Sequence, residues 1–291
     1  MFRLAYVNGQ YTRHAESLVH IEDRGYQFAD GVYEVIAIRH GVPVDMAAHL
    51  RRLEHSLGEI DIPMPMTPKA MVMVMRRVVR ANRVWDGIVY LQVNRGVAPR
   101  SHPFPNPAPE PSVVITARPL PPTPAAVLEK GVTVVTTPDI RWLRRDIKSV
   151  ALLPNCMAKE KAARAGAFEC WQVEDDGTIS EAAASNVWIV DQAGRAITRP
   201  LSNRILAGIT RLKLLELARG EGIEVEERIF TLKEALAARE AFVSGTTAFA
   251  MPVVKVDEAV IGDGRPGAVT RRLRELYEGM IGQLTEAAWW Q

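Results

Sequence analysis

Arg118-Pro119-Leu120-Pro121-Pro122-Thr123-Pro124 places four prolines in seven residues. Each proline fixes φ and removes a backbone donor, so the stretch continues neither a helix nor a central strand and stiffens into an extended connector. It divides the 291 residues into an expected N-terminal domain at 1–118, a linker at 119–124 and a C-terminal domain at 125–291. That length is generous for one simple core and short for three, which agrees with two modest domains.

On the N-terminal side, Met1 to Val7 reads as a strand entering an Asn8-Gly9 turn, and Val32 to Ile38 as a strand closing on His40-Gly41. Leu50, Leu53 and Leu57 recur at helical spacing within Ala47 to Glu59, and Thr67 is placed to cap a second helix ending at Ala81. Met71, Met73 and Met75 in that helix read as flexible core filling. Ile88 to Val93 and Ser112 to Thr116 complete a sheet with helices on one side, an α/β arrangement.

On the C-terminal side the pattern predicts a strand at Val132 to Thr136, a helix near Asn155 to Ala165 and a hairpin turning at Asp175-Asp176-Gly177. Strands at Val187 to Val190, Ile223 to Glu227 and Ala241 to Ser244 follow, with helices at Thr210 to Arg219 and about Val269 to Ile281. There is no internal repeat and no low-complexity tract.

Hydrophobic residues make up 47% and charged residues 24%, the composition of an ordinary globular protein rather than a fibrous or disordered one. Thirty-six Lys and Arg against 34 Asp and Glu leave a formal charge of +2, too little to draw nucleic acid or anionic lipid. A small-molecule partner is expected. Two cysteines, Cys156 and Cys170, make no disulfide framework and fit a reducing compartment. No apolar run approaches the ~20 residues of a membrane span, and the N-terminus lacks a signal-peptide core, so a cytoplasmic location is expected.

Asp146-Ile147-Lys148-Ser149 and Ile179-Ser180-Glu181-Ala182 carry the chemistry. A blindly chosen lysine is a solvated charge. Lys148 lies between Ile147 and Val150-Ala151-Leu152-Leu153, and a lysine among core-forming residues has its charged form disfavoured. Glu181 alone reads as a strand-edge glutamate. Together they supply what pyridoxal phosphate requires: an amine to form an imine with its aldehyde, and an acid to keep its ring nitrogen protonated.

Gly208-Ile209-Thr210 opens a helix whose free N–H groups and dipole suit a phosphate, although Thr210 is equally legible as a cap. Ser244-Gly245-Thr246-Thr247 is a second loop of small hydroxyl residues. Arg52 could add a fixed positive charge, or be an exposed helical arginine. In Ala98-Pro99-Arg100-Ser101-His102-Pro103-Phe104-Pro105 the prolines restrict a loop whose Arg100 and His102 alternate toward one side, an arrangement for one anion or a stiff solvent loop. Gly262-Asp263-Gly264-Arg265-Pro266-Gly267 matches a dinucleotide fingerprint, but no strand follows its helix to complete a βαβ unit. It is read as a turn. Arg141, Arg144 and Arg145 read as a basic turn, and no metal-ligand spacing is present.

Glu22 to Val35, the Arg100-Ser101-His102 loop, Arg141 to Ser149 and Ile205 to Arg211 together resemble the class IV pyridoxal-phosphate aminotransferases, most closely those acting on D-amino acids. The likeness runs over nearly the whole chain in the same order. It implies a fold-type IV architecture: a smaller N-terminal α/β domain, a larger C-terminal domain around a β-barrel-like sheet, and pyridoxal 5'-phosphate between them in a homodimer. By position, Lys148 would be the cofactor-bound lysine and proton carrier, and Glu181 the ring-nitrogen partner. Arg52, Ile209, Thr210 and Thr246 would hold the phosphate. Tyr33, with Arg100 and His102 from the neighbouring subunit, would trap the substrate carboxylate.

The implied reaction moves an amino group from a D-amino acid such as D-alanine to 2-oxoglutarate, giving pyruvate and D-glutamate. Relatives of the same fold act as branched-chain L-amino-acid or (R)-amine transaminases or as aminodeoxychorismate lyase. Arg100 with His102 speaks against these, since an amine offers no carboxylate and the other groups build this loop differently. The chain departs from the pattern at Ala182, Ala183 and Ala184, where hydroxyl residues are usual, at Gly245, and at Trp188.

Overall fold

The computed structural model describes residues 3–290. Met1 and Phe2, assigned to the first strand above, lie outside the described residues. The chain forms two compact units, one of Met1–Pro122, Ile147–Ala151 and Leu284–Gln291, the other of Thr123–Asp146 and Leu152–Gln283.

In the first unit, β1 (Leu4–Val7) and β2 (Gln10–Arg13) form a hairpin around the Asn8-Gly9 turn, where both residues take positive φ. A short helix α1 (Arg24–Phe28) precedes β3 (Gly31–Arg39) and β4 (Val42–Pro43). Helices α2 (Met46–Gly58) and α3 (Pro68–Ala81) follow, then β5 (Gly87–Asn94) and β6 (Ser112–Pro119). The six strands are antiparallel in the order β2-β1-β6-β5-β3-β4.

Leu53 and Leu57 of α2 and Met71, Met75, Val78 and Val79 of α3 share a core with Ile36, Val89, Leu91 and Ile115 of the sheet. Thr67 caps α3 by accepting from the Ala70 N–H at 3.3 Å, as the sequence predicts. Met73 is 57% exposed, because a residue two positions from Met71 and Met75 turns to another helix face. Strand β6 continues to Pro119, paired in register with Gly87, one residue into the proline run. Proline at a strand end forfeits little, so the run ends the strand from inside rather than before it.

The sequence division puts residues 147–151 with the second domain, but their backbone lies along β3. The Val150 N–H donates to the Gly31 carbonyl at 3.0 Å and the Tyr33 N–H to the Lys148 carbonyl at 3.0 Å. Ile147 belongs to the first unit's core, whereas Ala151 and Leu153 are exposed, so the apolar run around Lys148 is core on one side only.

The second unit begins with α4 (Ala125–Lys130), a helix the proline-rich composition concealed, then β7 (Val132–Pro138) and α5 (Leu153–Arg164). Next come β8 (Glu169–Val173), β9 (Ile179–Ala182), β10 (Asn186–Val190), β11 (Ala196–Thr198), α6 (Ile209–Gly220) and β12 (Val225–Glu227). The unit ends with α7 (Leu232–Leu236), β13 (Glu240–Gly245), β14 (Phe249–Val256), β15 (Ala259–Val260) and α8 (Ala268–Gly282). The sheet order is β12-β11-β10-β13-β14-β7-β8-β9, with β15 paired to β14.

One link in that order sets the shape of the sheet. Strand β9 passes into β10 through Ala183-Ala184-Ser185 alone, yet β13, β14, β7 and β8 stand between them. In a flat sheet five inter-strand steps would separate the two by about 24 Å, and so short a link spans at most about 14 Å. The sheet therefore curls back toward itself in a barrel-like form, as fold-type IV requires. Glu181 lies beside this closure.

Candidate active site

In the first unit Lys148 emerges from the segment beside β3, its backbone N–H donating to Ser56 Oγ at 3.2 Å. Its Nζ lies 4.1 Å from the centroid of the Tyr33 ring, and Tyr33 stacks at 5.8 Å on Tyr90. Burial pushes the Tyr90 phenol up to about 12, so it stays neutral and donates a hydrogen bond to Gln92 Oε1 at 2.7 Å. The amine thus sits over an aromatic face, with a local backbone fixed by pairing to β3.

Arg52 is not the exposed helical arginine of the bland reading. It is buried on the core face of α2, where its Nε and Nη2 both donate at 2.8 Å to Glu34 of β3. His49, one turn earlier, contacts the same carboxylate at 2.7 Å through Nδ1. An ionised carboxylate only accepts, so Nδ1 carries the hydrogen. Burial alone would raise Glu34, but Arg52 and then His49 outweigh it and hold the carboxyl down at about 2. Burial lowers His49 and keeps it neutral. Glu34 and His49 do not stand out in the sequence; the available signal is that His49 and Arg52, two polar residues, fall on the apolar face of α2 in step with Met46, Leu53 and Leu57.

Arg100 and His102 occupy an exposed loop that is nevertheless tied down. Arg24, itself buried, donates to the Ser101 carbonyl at 2.5 Å and the His102 carbonyl at 3.3 Å, while its Nε pairs with Asp30 at 2.7 Å. Phe28 packs against the His102 ring at 5.5 Å and beneath the Arg100 guanidinium at 5.0 Å. Local packing therefore presents both side chains from one anchored loop.

In the second unit Glu181 is buried, and burial pushes its carboxyl upward against the opposing pull of Arg141. Arg141 donates to Oε1; Asn186 Nδ2 and the Leu206 N–H donate to Oε2, each at 3.1 Å. Asn186 also donates to the Leu206 carbonyl at 3.0 Å, which ties the carboxylate to the loop entering α6. That helix begins at Gly208 with no side chain capping its first turn, and Ile209 and Thr210 are both buried there. The turn containing Thr246 packs beside the β9–β10 link: a Cβ on Gly245 would lie 3.4 Å from the Ala184 carbonyl oxygen.

Gly208 shows how closely this part is fitted. A Cβ there would lie 2.0 Å from Asn186 Oδ1, and Asn186 is held by two hydrogen bonds. Gly208→Ala is expected to cost about 1–3 kcal/mol through forced repacking and to weaken cofactor binding. An unchanged melting temperature and cofactor affinity would show that Asn186 can turn aside.

The glycine-rich 262–267 segment is a different kind of helix start. Glu240 accepts from the Val269 and Thr270 N–H groups at 3.1 and 2.9 Å, so the α8 N-terminus already holds a carboxylate. Gly267 is needed because a Cβ would strike the Glu240 side chain. Among the described residues no group of three or more His, Cys, Asp or Glu could hold a metal.

A family model for amino-transferase class IV matches residues 31–256. The chain belongs to the class IV aminotransferases. Such enzymes use pyridoxal 5'-phosphate, and the residues present fit it: a lysine amine, a buried carboxylate and an uncapped helix start closed in by a glycine. The D-alanine aminotransferase of Bacillus licheniformis is 40% identical over 281 residues, covering 97% of each chain. Escherichia coli branched-chain amino acid aminotransferase superposes with a TM-score of 0.87 at 25% identity, covering 100% of this chain and 98% of that one. The 4-amino-4-deoxychorismate lyase of Pseudomonas aeruginosa does so at 0.81 and 26%, covering 95% and 98%.

Proposed function

We propose that this aminotransferase exchanges the amino group of a D-amino acid, such as D-alanine, with 2-oxoglutarate, giving pyruvate and D-glutamate. The observation that carries the substrate class is the Arg100–His102 loop, fixed by buried Arg24 so that a guanidinium and an imidazole are presented together. The likeness to D-alanine aminotransferases over nearly the whole chain supports the same reading.

Pyridoxal 5'-phosphate, when bound, supplies the aldehyde that takes up the amino group and a ring that withdraws electrons from the carbon bearing it. Lys148 would hold it through Nζ, and the same amine would accept the proton from the Cα of the amino-acid substrate and, in the reverse half of the exchange, deliver a proton to the Cα of the product. Glu181 accepts a hydrogen bond from the ring nitrogen. The α6 N-terminus at Ile209 and Thr210, with Thr246 and Arg52, holds the phosphate. Tyr33 and a neighbouring subunit's copies of Arg100 and His102 bind the substrate carboxylate. The working form is therefore a homodimer. Two cysteines with no disulfide role agree with the cytoplasm.

Purified protein assayed with D-alanine, L-leucine and an (R)-amine, each with 2-oxoglutarate, is expected to turn over D-alanine alone and to yield D-glutamate. Turnover confined to L-leucine or the amine would overturn the proposal and favour the activities of other members of the fold.

A further inference from the structure

Glu181 is one end of a ladder of alternating charges. Arg141 reaches it through Nη1, while Arg141 Nε and Nη2 donate to the two oxygens of Asp139 at 3.0 and 2.7 Å. The Asp139 side chain is fully buried, and it also takes Ser180 Oγ and, at 3.2 Å, Arg145 Nη1. Arg145 continues to Glu174 at 2.8 Å, where Arg199 at 2.7 Å and the half-exposed Arg204 at 3.3 Å complete the set. The three arginines of the 141–145 stretch are thus not an ordinary basic turn: Arg141 and Arg145 are built into this ladder, and Arg144 pairs with Asp146 at 2.9 Å.

The geometry of Arg141 is specific. Asp139 occupies one edge of the guanidinium fork in a two-point grip, and its oxygen also accepts from the Arg141 backbone N–H at 3.1 Å, so the remaining nitrogen has one direction to point. Removing a guanidinium from beside a buried carboxylate leaves that carboxylate to take up a proton. A protonated Glu181 would bring its own hydrogen to the ring nitrogen and, as a neutral acid, would be a much weaker acceptor for a protonated ring than the carboxylate.

We infer that Arg141 is a positioning residue for the reaction: gripped by Asp139, it keeps Glu181 an ionised acceptor aimed at the cofactor's ring nitrogen. This rests on the proposed role of Glu181. A merely structural tie between the 139–141 segment and β9 would affect folding but not the protonation of the bound cofactor.

The test compares Arg141→Met, Arg141→Lys and Glu181→Gln, each loaded with pyridoxal 5'-phosphate. Three quantities are read: the pH midpoint of the cofactor's visible absorption, the equilibrium affinity of the apo-protein for the cofactor, and kcat with D-alanine. Arg141→Met and Glu181→Gln are expected to move the midpoint in the same direction by about one pH unit and to lower kcat by roughly 100-fold. Arg141→Lys, with a cation but no fork, is expected to lie between them and the parent.

If Glu181→Gln moves the midpoint and a folded Arg141→Met does not, the inference about Arg141 is wrong while the role of Glu181 stands. If Glu181→Gln leaves band and kcat unchanged, the role of Glu181 is wrong and the inference falls with it. Should Arg141→Met fail to fold, Arg141→Lys decides, because a parent-like midpoint and kcat in that variant contradict a role for the fork.

Discussion

Replacement of Lys148 by alanine is expected to lower amino-group transfer by ~10⁴-fold or more, because in the proposed function one amine would serve as both attachment point and proton carrier. The loss should fall on the chemistry rather than the fold. Lys148 is fixed by backbone bonds, to Ser56 through its N–H and to Tyr33 through its carbonyl, and alanine retains both. The side chain gives up only its place over the Tyr33 ring, worth about 0.5–2 kcal/mol. The variant should therefore melt within a few degrees of the parent. Lys148→Arg separates charge from chemistry, since a guanidinium can sit over the same ring but does not act as an amine nucleophile. Steady-state rates with D-alanine and 2-oxoglutarate, with melting curves for each variant, make the comparison. Activity within tenfold of the parent in Lys148→Ala would remove this lysine from the reaction.

Much of the fold was legible because its signals are local. The Asn8-Gly9 turn, the Thr67 cap and the leucine spacing of α2 depend on residues a few positions apart, and each appears where the sequence places it. Strand β14 was not legible, and the curl of the second sheet came only from the family likeness and from no local pattern, because both depend on which distant strands pair. The β9–β10 link is three residues long, yet four strands intervene in the sheet, and no local pattern encodes that.

The site divides in the same way. Residue chemistry together with family likeness singled out Lys148, Glu181 and the Arg100–His102 loop, but not the groups that hold them. Arg24 reads as one charge in a polar stretch until its guanidinium is seen on two carbonyls of the loop. Asp139 lies two residues before Arg141, the spacing of an incidental pair, and only its full burial with Glu181 and Arg145 nearby shows what it grips.

The supporting network in the first unit gives the largest expected effect on stability. Arg52→Met leaves Glu34 buried on β3 without its guanidinium, and removing one partner of a buried pair costs about 3–5 kcal/mol. For a chain of this size the melting temperature should fall by on the order of 10 °C. The pH dependence identifies the cause. In the parent, Glu34 is held at about 2 against an ordinary value of 4.5. A carboxyl lowered by folding contributes stability above its unfolded value and loses it as pH falls through its folded value, here between about 4.5 and 2, to a limit of about 3 kcal/mol. Neutral His49 works in the same direction from higher pH, because the unfolded chain takes up its proton first below 6.5. Without Arg52, burial dominates at Glu34 and the carboxyl protonates more readily than in the unfolded chain, so acid stabilises that site. The gap between parent and Arg52→Met should therefore be widest near pH 7 and narrow on acidification below about 4.5. Urea unfolding of the apo-proteins at pH 7 and pH 4 measures both gaps without any contribution from bound phosphate. A gap that stays constant would mean that Arg52 stabilises through its packed methylenes rather than through the charge of Glu34.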